Sequence, residues 1–350
     1  VKWHVSRDSR ASARTRRAGA SPVSALAERM REARGRGIPL PVVAYYGTGR
    51  LWSKQSHTTA RRGMQLEDGY RDCLDPRVDF DSFQDWIQAL TLDKGLASTR
   101  GLPERLLEFL KAVMEIVLRP IGVTAVEYVA LQGELMAEVS EMAGAPSGGR
   151  ESEHAEHVEA LWLPVRQLSD GVRTMLGLVG DIVRRIGLLN GDIRELDLRE
   201  VGGIVLIDEV DLHLHPEWQQ QVLPSLRRAL PRIQWIVTTH SPQVISTVAR
   251  ECVWVLDHQR LGNGRTHITH PDAQTEGVEA GDVLADVFGV DPLPQTEWRR
   301  RINRLMARTD VSDPLTSVEI AELEDHFGSD YYPLRLWRVR PGADGRGRRE

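Results

Sequence analysis

Residues 203–215, Gly-Ile-Val-Leu-Ile-Asp-Glu-Val-Asp-Leu-His-Leu-His, form an apolar run that stops at two adjacent carboxylates. Ile204 to Ile207 are apolar at every position, without the alternation of a strand that has one wet face. The run therefore predicts a central parallel strand covered by helices on both faces. Parallel strands need crossover connections, and the flanking sequence supplies them. Upstream, a helix starts at Ser169, with Val172, Met175, Leu176, Val179, Ile182, Val183 and Ile186 at helical spacing, so that one face packs into a core. Downstream, a helix over 216–230 opens on Pro216 and is expected to kink at Pro224. A strand over 233–239, a short helix opened by Ser241-Pro242 and a strand over 253–256 follow. That alternation predicts an α/β fold built on a parallel sheet with right-handed crossovers.

The rest of the chain is less regular. Residues 21–34 read as a helix with Ser21 as N-cap and Pro22 at its first position, ended by Gly35 and Gly37. Pro41 to Tyr46 read as a short strand stopped by Gly47-Thr48-Gly49. Residues 53–160 read as an insertion. It is polar and loop-like to about Asp81, helical over roughly 103–119, and a hairpin over 126–140 pivoting on Gln132-Gly133. Helices near 280–288, 296–308 and 316–327 precede a Gly/Arg-rich tail from Pro341.

In an open parallel sheet, ligands bind beyond the carboxyl ends of the strands, so Asp208, Glu209 and His240 are expected on one functional edge. Asp208 is placed to hold Mg²⁺, largely through water, because magnesium keeps much of its hydration shell. Glu209 can orient or deprotonate the water that attacks a terminal phosphate. His240 can hydrogen-bond that phosphate. Ser169-Asp170-Gly171 opens a helix whose free N–H groups and positive dipole end suit an anion, with the Ser169 hydroxyl as a further donor. Such a site is normally too far from its own subunit's nucleotide, which implies a second subunit. Arg50, at the end of a strand, reads equally as a phosphate contact or a structural ion pair.

Leu168–Gly171, the Ile204–Glu209 strand, the His215-Pro216 turn and Thr239-His240-Ser241-Pro242 together resemble the ABC-type ATPase heads of the RecF and SMC kind. Tyr45 to Trp52 and Gly203 to Gln219 are similar to bacterial ATP-binding proteins grouped with virulence and with Septu-type and retron-associated phage defence. The resemblance implies a P-loop NTPase head that binds ATP and Mg²⁺ at a head-to-head homodimer interface and controls a partner effector, a nuclease in anti-phage defence. It makes Ser169 and Gly171 signature contacts to the partner's γ-phosphate, Asp208 the magnesium residue, Glu209 the catalytic base and His240 the switch histidine. Where many heads carry an aspartate, this chain has His215. No G-x-x-x-x-G-K-[ST] loop occurs in the sequence. The expectation is an N-terminally shortened head: a remnant of the N-terminal lobe (1–52), the insertion (53–160), the ATPase core (161–270), a helical segment (271–340) and a disordered tail (341–350).

Composition narrows the alternatives. A net charge of −5 argues against a wholesale nucleic-acid coat, yet residues 1–36 hold ten Lys or Arg against Asp8, Glu28 and Glu32. That basic segment reads as a solvated surface or as a DNA or RNA contact. Cys73 and Cys252 make no disulfide framework, which points to a reducing cytoplasm. No run of eighteen apolar residues reads as a membrane span. Two other functions stay open: a nucleotide-incompetent interaction module, and a metal-dependent hydrolase using Asp208, Asp211, His213 and His215. His154 and His157 read as solvated side chains, and Phe80, Phe83 and Trp86 as local core or a partner-docking patch.

Overall fold

The computed structural model describes residues 6–7, 15–16, 20–49, 66–77, 80–93, 101–139, 161–257, 267–307 and 314–339. In chain order these form β1 (Ser6–Arg7), β2 (Thr15–Arg16), α1 (Ala20–Gly35), β3 (Val42–Tyr46), α2 (Phe80–Asp93), α3 (Leu102–Leu118), β4 (Val123–Val129), β5 (Glu134–Val139), β6 (Leu161–Pro164), α4 (Asp170–Asn190), β7 (Gly203–Ile207), α5 (Pro216–Ala229), β8 (Ile233–Val237), α6 (Pro242–Ile245), β9 (Val255–Asp257) and β10 (His267–Thr269). Four helices follow: α7 (Ala280–Asp286), α8 (Glu297–Ala307), α9 (Pro314–Phe327) and α10 (Tyr332–Val339). Two compact units divide the chain, one over residues 1–270 and 274–278, the other over 271–273 and 279–350.

In the first unit, β7 lies between β3 and β8 in a parallel sheet, with Tyr46, Ile207 and Val237 in register at its carboxyl end. Val42, Ala44, Tyr46, Val205, Ile207 and Ile233 face the core. The expectation of helices on both faces is corrected among the described residues: Ile204 is 41% and Ile236 47% exposed, and Leu206 is only half-buried. Strand 253–256 is also corrected. It appears as β9, pairing antiparallel with β10 in a separate two-stranded sheet rather than extending the parallel one. Both elements are three residues long, too short for the apolar pattern to reveal their partner.

The segment read as an insertion contributes to the same core. Phe83, Trp86, Ile87 and Leu90 of α2 and Leu106, Leu110, Val113 and Val117 of α3 are buried together with the sheet residues. Their spacing of three and four makes one apolar stripe on each helix. The hairpin β4–β5 begins at Val123 and turns at Gly133, where φ is +66° and a side chain would be strained. A third strand, β6, pairs antiparallel with β5 and was not anticipated.

Helix α4 departs most from the sequence reading. Rather than presenting one apolar face, it is buried almost all round, including Asp181, Arg184, Arg185 and Asn190. Asn190 bonds both polar groups of Leu40: its Oδ1 accepts from Leu40 N at 2.7 Å, and its Nδ2 donates to Leu40 O at 2.9 Å. At the other end of β3, Tyr46 Oη donates to Asp181 Oδ2 at 2.9 Å. Strand β3 is therefore tied to α4 at both ends, and the helix runs antiparallel to it. Residues 66–77 lie along the other edge of β3, through Tyr45 N to Cys73 O at 2.8 Å and Gly47 N to Pro76 O at 2.7 Å. Cys73 and Cys252 are both free thiols. Burial raises the Cys73 thiol above its usual range, against the opposing pull of Arg185.

The second unit packs Ile302 and Leu305 of α8, Leu323 of α9 and Leu334 of α10 together, with the half-buried Trp298 against them, its ring stacked on His326 at 3.9 Å. Helix α10 lies within the segment read as helical over 271–340, beyond the three helices placed in it individually. No described helix is long and apolar enough to cross a membrane.

Candidate functional site

The carboxyl ends of β3, β7 and β8 form one edge. Asp208 N donates to Tyr46 O at 2.8 Å, and Thr238 N donates to Ile207 O at 3.0 Å, so the three chain exits are held side by side. Asp208 and Glu209 are half-buried there, and His240 is exposed two residues beyond Thr238. Glu209 adopts φ +48°, a left-handed conformation unusual for a residue with a side chain. The loop leaves the strand sharply as a result, and Val210 N returns to Thr238 O at 3.0 Å.

Side-chain hydroxyls of the 238–241 segment reach across to this loop. Thr238 Oγ1 accepts from Glu209 N at 2.8 Å and lies within hydrogen-bond distance of Asp208 Oδ1. Thr239 Oγ1 donates to Asp211 Oδ1 and accepts from Ser241 N at 3.0 Å. Ser241 Oγ donates to Gln219 Oε1 at 2.6 Å, and Gln219 Nε2 donates to Leu214 O at 2.9 Å. None of these contacts was anticipated beyond the presence of a Thr-Thr-His-Ser string; the signal was three hydroxyls in four residues at a strand end.

The remaining acidic and histidine residues are used locally. His215 caps α5, its Nδ1 accepting from Glu217 N at 3.4 Å. His213 is exposed at φ +64°. Among the described residues no group of three or more His, Cys, Asp or Glu could hold a metal ion. The hydrolase reading built on Asp208, Asp211, His213 and His215 is therefore corrected: Asp211 is turned to Thr239 and His215 to a helix end. Oxygen donors from Asp208, with Glu209 beside it, suit magnesium, which takes one or two carboxylates and keeps waters and phosphate oxygens for the rest.

Ser169 caps α4, its Oγ accepting from Val172 N at 3.5 Å, and Asp170 pairs with Arg173 at 3.3 Å on the surface. Gly171 is buried against the loop after β7, where an added Cβ would lie 2.4 Å from His213 O. Its missing side chain thus admits a backbone carbonyl of its own chain. Since Asp181 lies opposite the end of β3, the eleven residues back to Asp170 carry the helix start roughly 16 Å further along its axis. Gly171→Ala must push helix and loop apart. We expect a cost of about 1–3 kcal/mol, as for overpacking, read as a lowered Tm; an unchanged Tm would mean that the close approach is dispensable. Arg50, His154 and His157 lie outside the described residues. Within the basic N-terminal segment, Arg34 is committed internally, donating to Leu189 O at 3.0 Å and pairing with Asp192.

A parallel sheet packed against helices, with paired carboxylates just beyond its carboxyl edge, has the α/β architecture of a P-loop NTPase domain. Residues 81–246 match the family described as "AAA domain, putative AbiEii toxin, Type IV TA system", and the chain carries an AAA-family ATPase domain of the P-loop NTPase class. It is 38% identical to the Retron Ec83 probable ATPase of Escherichia coli over 173 residues, 48% of this chain and 30% of that protein. It is 41% identical to the Retron Vc95 probable ATPase of Vibrio cholerae over 123 residues, 35% of this chain and 23% of that one. With the Septu protein PtuA of Bacillus thuringiensis it shares 33% identity over 125 residues, 35% of this chain and 32% of the relative. The chain thus spans less than a third of the length of these relatives.

Proposed function

We propose that this chain forms part of an ATPase head that holds ATP and Mg²⁺ at the carboxyl edge of β3–β7–β8 and hydrolyses the nucleotide between two copies. Asp208 holds the magnesium, Glu209 acts as general base toward water, and His240 contacts the γ-phosphate. Ser169 and Asp170 face the γ-phosphate of the second copy, Gly171 seats the start of α4 against the loop after β7, and Arg50 is assigned to phosphate on its place in the sequence alone. When bound, Mg²⁺ neutralises charge developing on the phosphate oxygens. The observation that carries this reading is the hydrogen-bonded convergence of the Asp208-Glu209 turn and the 238–241 segment on one sheet edge. The projection of α4 beyond β3 supports a contribution in trans.

Similarity to retron and Septu proteins supports a role in anti-phage defence, with the ATPase cycle controlling a nuclease carried on another chain. The basic N-terminal segment is then the place for a DNA or RNA contact. The test is ATP hydrolysis by the full-length protein, with and without divalent metal, beside Asp208→Ala. We expect hydrolysis to require Mg²⁺ and to fall at least about tenfold in the variant, about 1.4 kcal/mol in barrier. Turnover that ignores metal, or equal turnover by the variant, overturns the assignment. Absence of ATP binding by the full-length protein would instead favour a nucleotide-incompetent interaction module.

A further inference from the structure

Thr238 has one hydroxyl proton, and its oxygen lies between two polar neighbours, Glu209 N and Asp208 Oδ1. Glu209 N can only donate, so at 2.8 Å it must use a lone pair of Thr238 Oγ1. The hydroxyl proton is then committed to Asp208 Oδ1. A single side chain just after β8 thus touches both residues of the acidic pair just after β7, one through its carboxylate and one through its backbone. The backbone contact falls on the residue at φ +48°, a conformation that persists only when its surroundings enforce it.

We propose that Thr238 is a positioning residue for the acidic pair: its proton sets the direction of the Asp208 carboxylate, and its oxygen holds Glu209 in the left-handed turn that aims its side chain. The inference deepens the ATPase reading and rests on it for the roles of Asp208 and Glu209. The hydrogen bonds themselves do not depend on that reading. Thr239 and Ser241 reinforce the same junction through Asp211 and Gln219. The β8 exit and the β7 exit are therefore linked by side-chain hydrogen bonds on both sides of His240 in the sequence.

Valine matches threonine in shape but has no hydroxyl, whereas serine keeps the hydroxyl and loses the methyl. Three measurements on the full-length protein separate positioning from packing. In Thr238→Val, the Glu209 amide should exchange with solvent roughly tenfold faster or more, the loss expected when a hydrogen bond to a partly buried donor is removed. The Val205 to Ile207 amides should exchange at the parental rate, since their ladder is intact. The Mn²⁺ concentration for half-saturation, read by electron paramagnetic resonance with a non-hydrolysable ATP analogue, should rise roughly fivefold or more. Thr238→Ser should restore both values, and Thr238→Ala, which leaves more room and the same missing hydroxyl, should behave as the valine variant if that one does not fold.

Parental Mn²⁺ requirement and parental Glu209 exchange in the hydroxyl-free variants overturn the proposal. So does uniform acceleration along β7 and β8, which would mark a packing residue. Failure of the ATPase reading looks different: Glu209→Gln would hydrolyse ATP at the parental rate, while Glu209 amide exchange in Thr238→Val would still report on the hydrogen bond.

Discussion

Glu209→Gln in the full-length protein is expected to hydrolyse ATP roughly a hundredfold more slowly or worse, the usual contribution of a positioned general base, while binding nucleotide as before. Glutamine preserves the length and shape of the side chain and the backbone amide that Thr238 accepts. The left-handed turn at φ +48° should therefore persist. What disappears is the capacity to take a proton from water. Rapid-mixing single-turnover hydrolysis, paired with equilibrium binding of a fluorescent ATP analogue, reads the two properties separately. Undiminished hydrolysis removes Glu209 from the role of base. Loss of binding together with turnover would assign it instead to the architecture of the turn.

The second large effect concerns the buried charges beneath the site. Asp181→Ala is expected to destabilise the first unit by about 3–5 kcal/mol, the cost of breaking a buried ion pair and leaving its partners uncompensated. Asp181 is 1% exposed. Its Oδ1 accepts from Arg184 Nη2 at 2.6 Å, and its Oδ2 accepts from Arg185 Nε at 2.7 Å and from Tyr46 Oη. Arg185 also donates to the carbonyls of Gly69 and Arg71 at 3.1 and 2.8 Å, which ties residues 66–77 to the helix. Denaturant unfolding measures the loss. A change below about 1 kcal/mol would place the carboxylate among ordinary surface pairs.

The same carboxylate gives an acid limb with a defined sign. Burial raises its pKa, and the guanidiniums of Arg184 and Arg185 more than reverse that, leaving it below the ordinary carboxylate value. Burial, and then Asp181 itself, push the Tyr46 hydroxyl well above its usual range, so it remains a donor. A group with a depressed folded pKa contributes fully above its unfolded value, about 3.9, and loses that contribution as pH falls through the lower folded value. The parental protein should therefore shed stability below about pH 4 more steeply than Asp181→Ala.

Much of the candidate site was legible because strand and motif coincide. Ile204 to Ile207 stand apart through their uninterrupted apolar run, and Thr239 to Pro242 mark the next strand's exit, so the placement of Asp208, Glu209 and His240 after the ends of neighbouring strands followed from topology. The hydroxyl contacts did not, because Thr238 and Thr239 look like any strand end until their partners are placed 29 and 28 residues away. Asp181, Arg184 and Arg185 fall outside the one apolar face that the spacing of their helix predicts. Only enclosure by α2, α3 and β3 turns them into a buried network. Helix α2 was hidden differently: polar residues up to Asp81 masked a stripe at Phe83, Trp86, Ile87 and Leu90 that has clear helical spacing. For β9 the local residues indicated a strand, but nothing in three residues specifies which neighbour it joins.

Enclosure of α4 on nearly every side has a consequence for how the molecule comes apart. A helix lying on a surface can peel away turn by turn, each turn losing only its own contacts. Here any turn that leaves must carry α2, α3 or the central sheet with it, so fraying is replaced by an all-or-none opening of the whole unit.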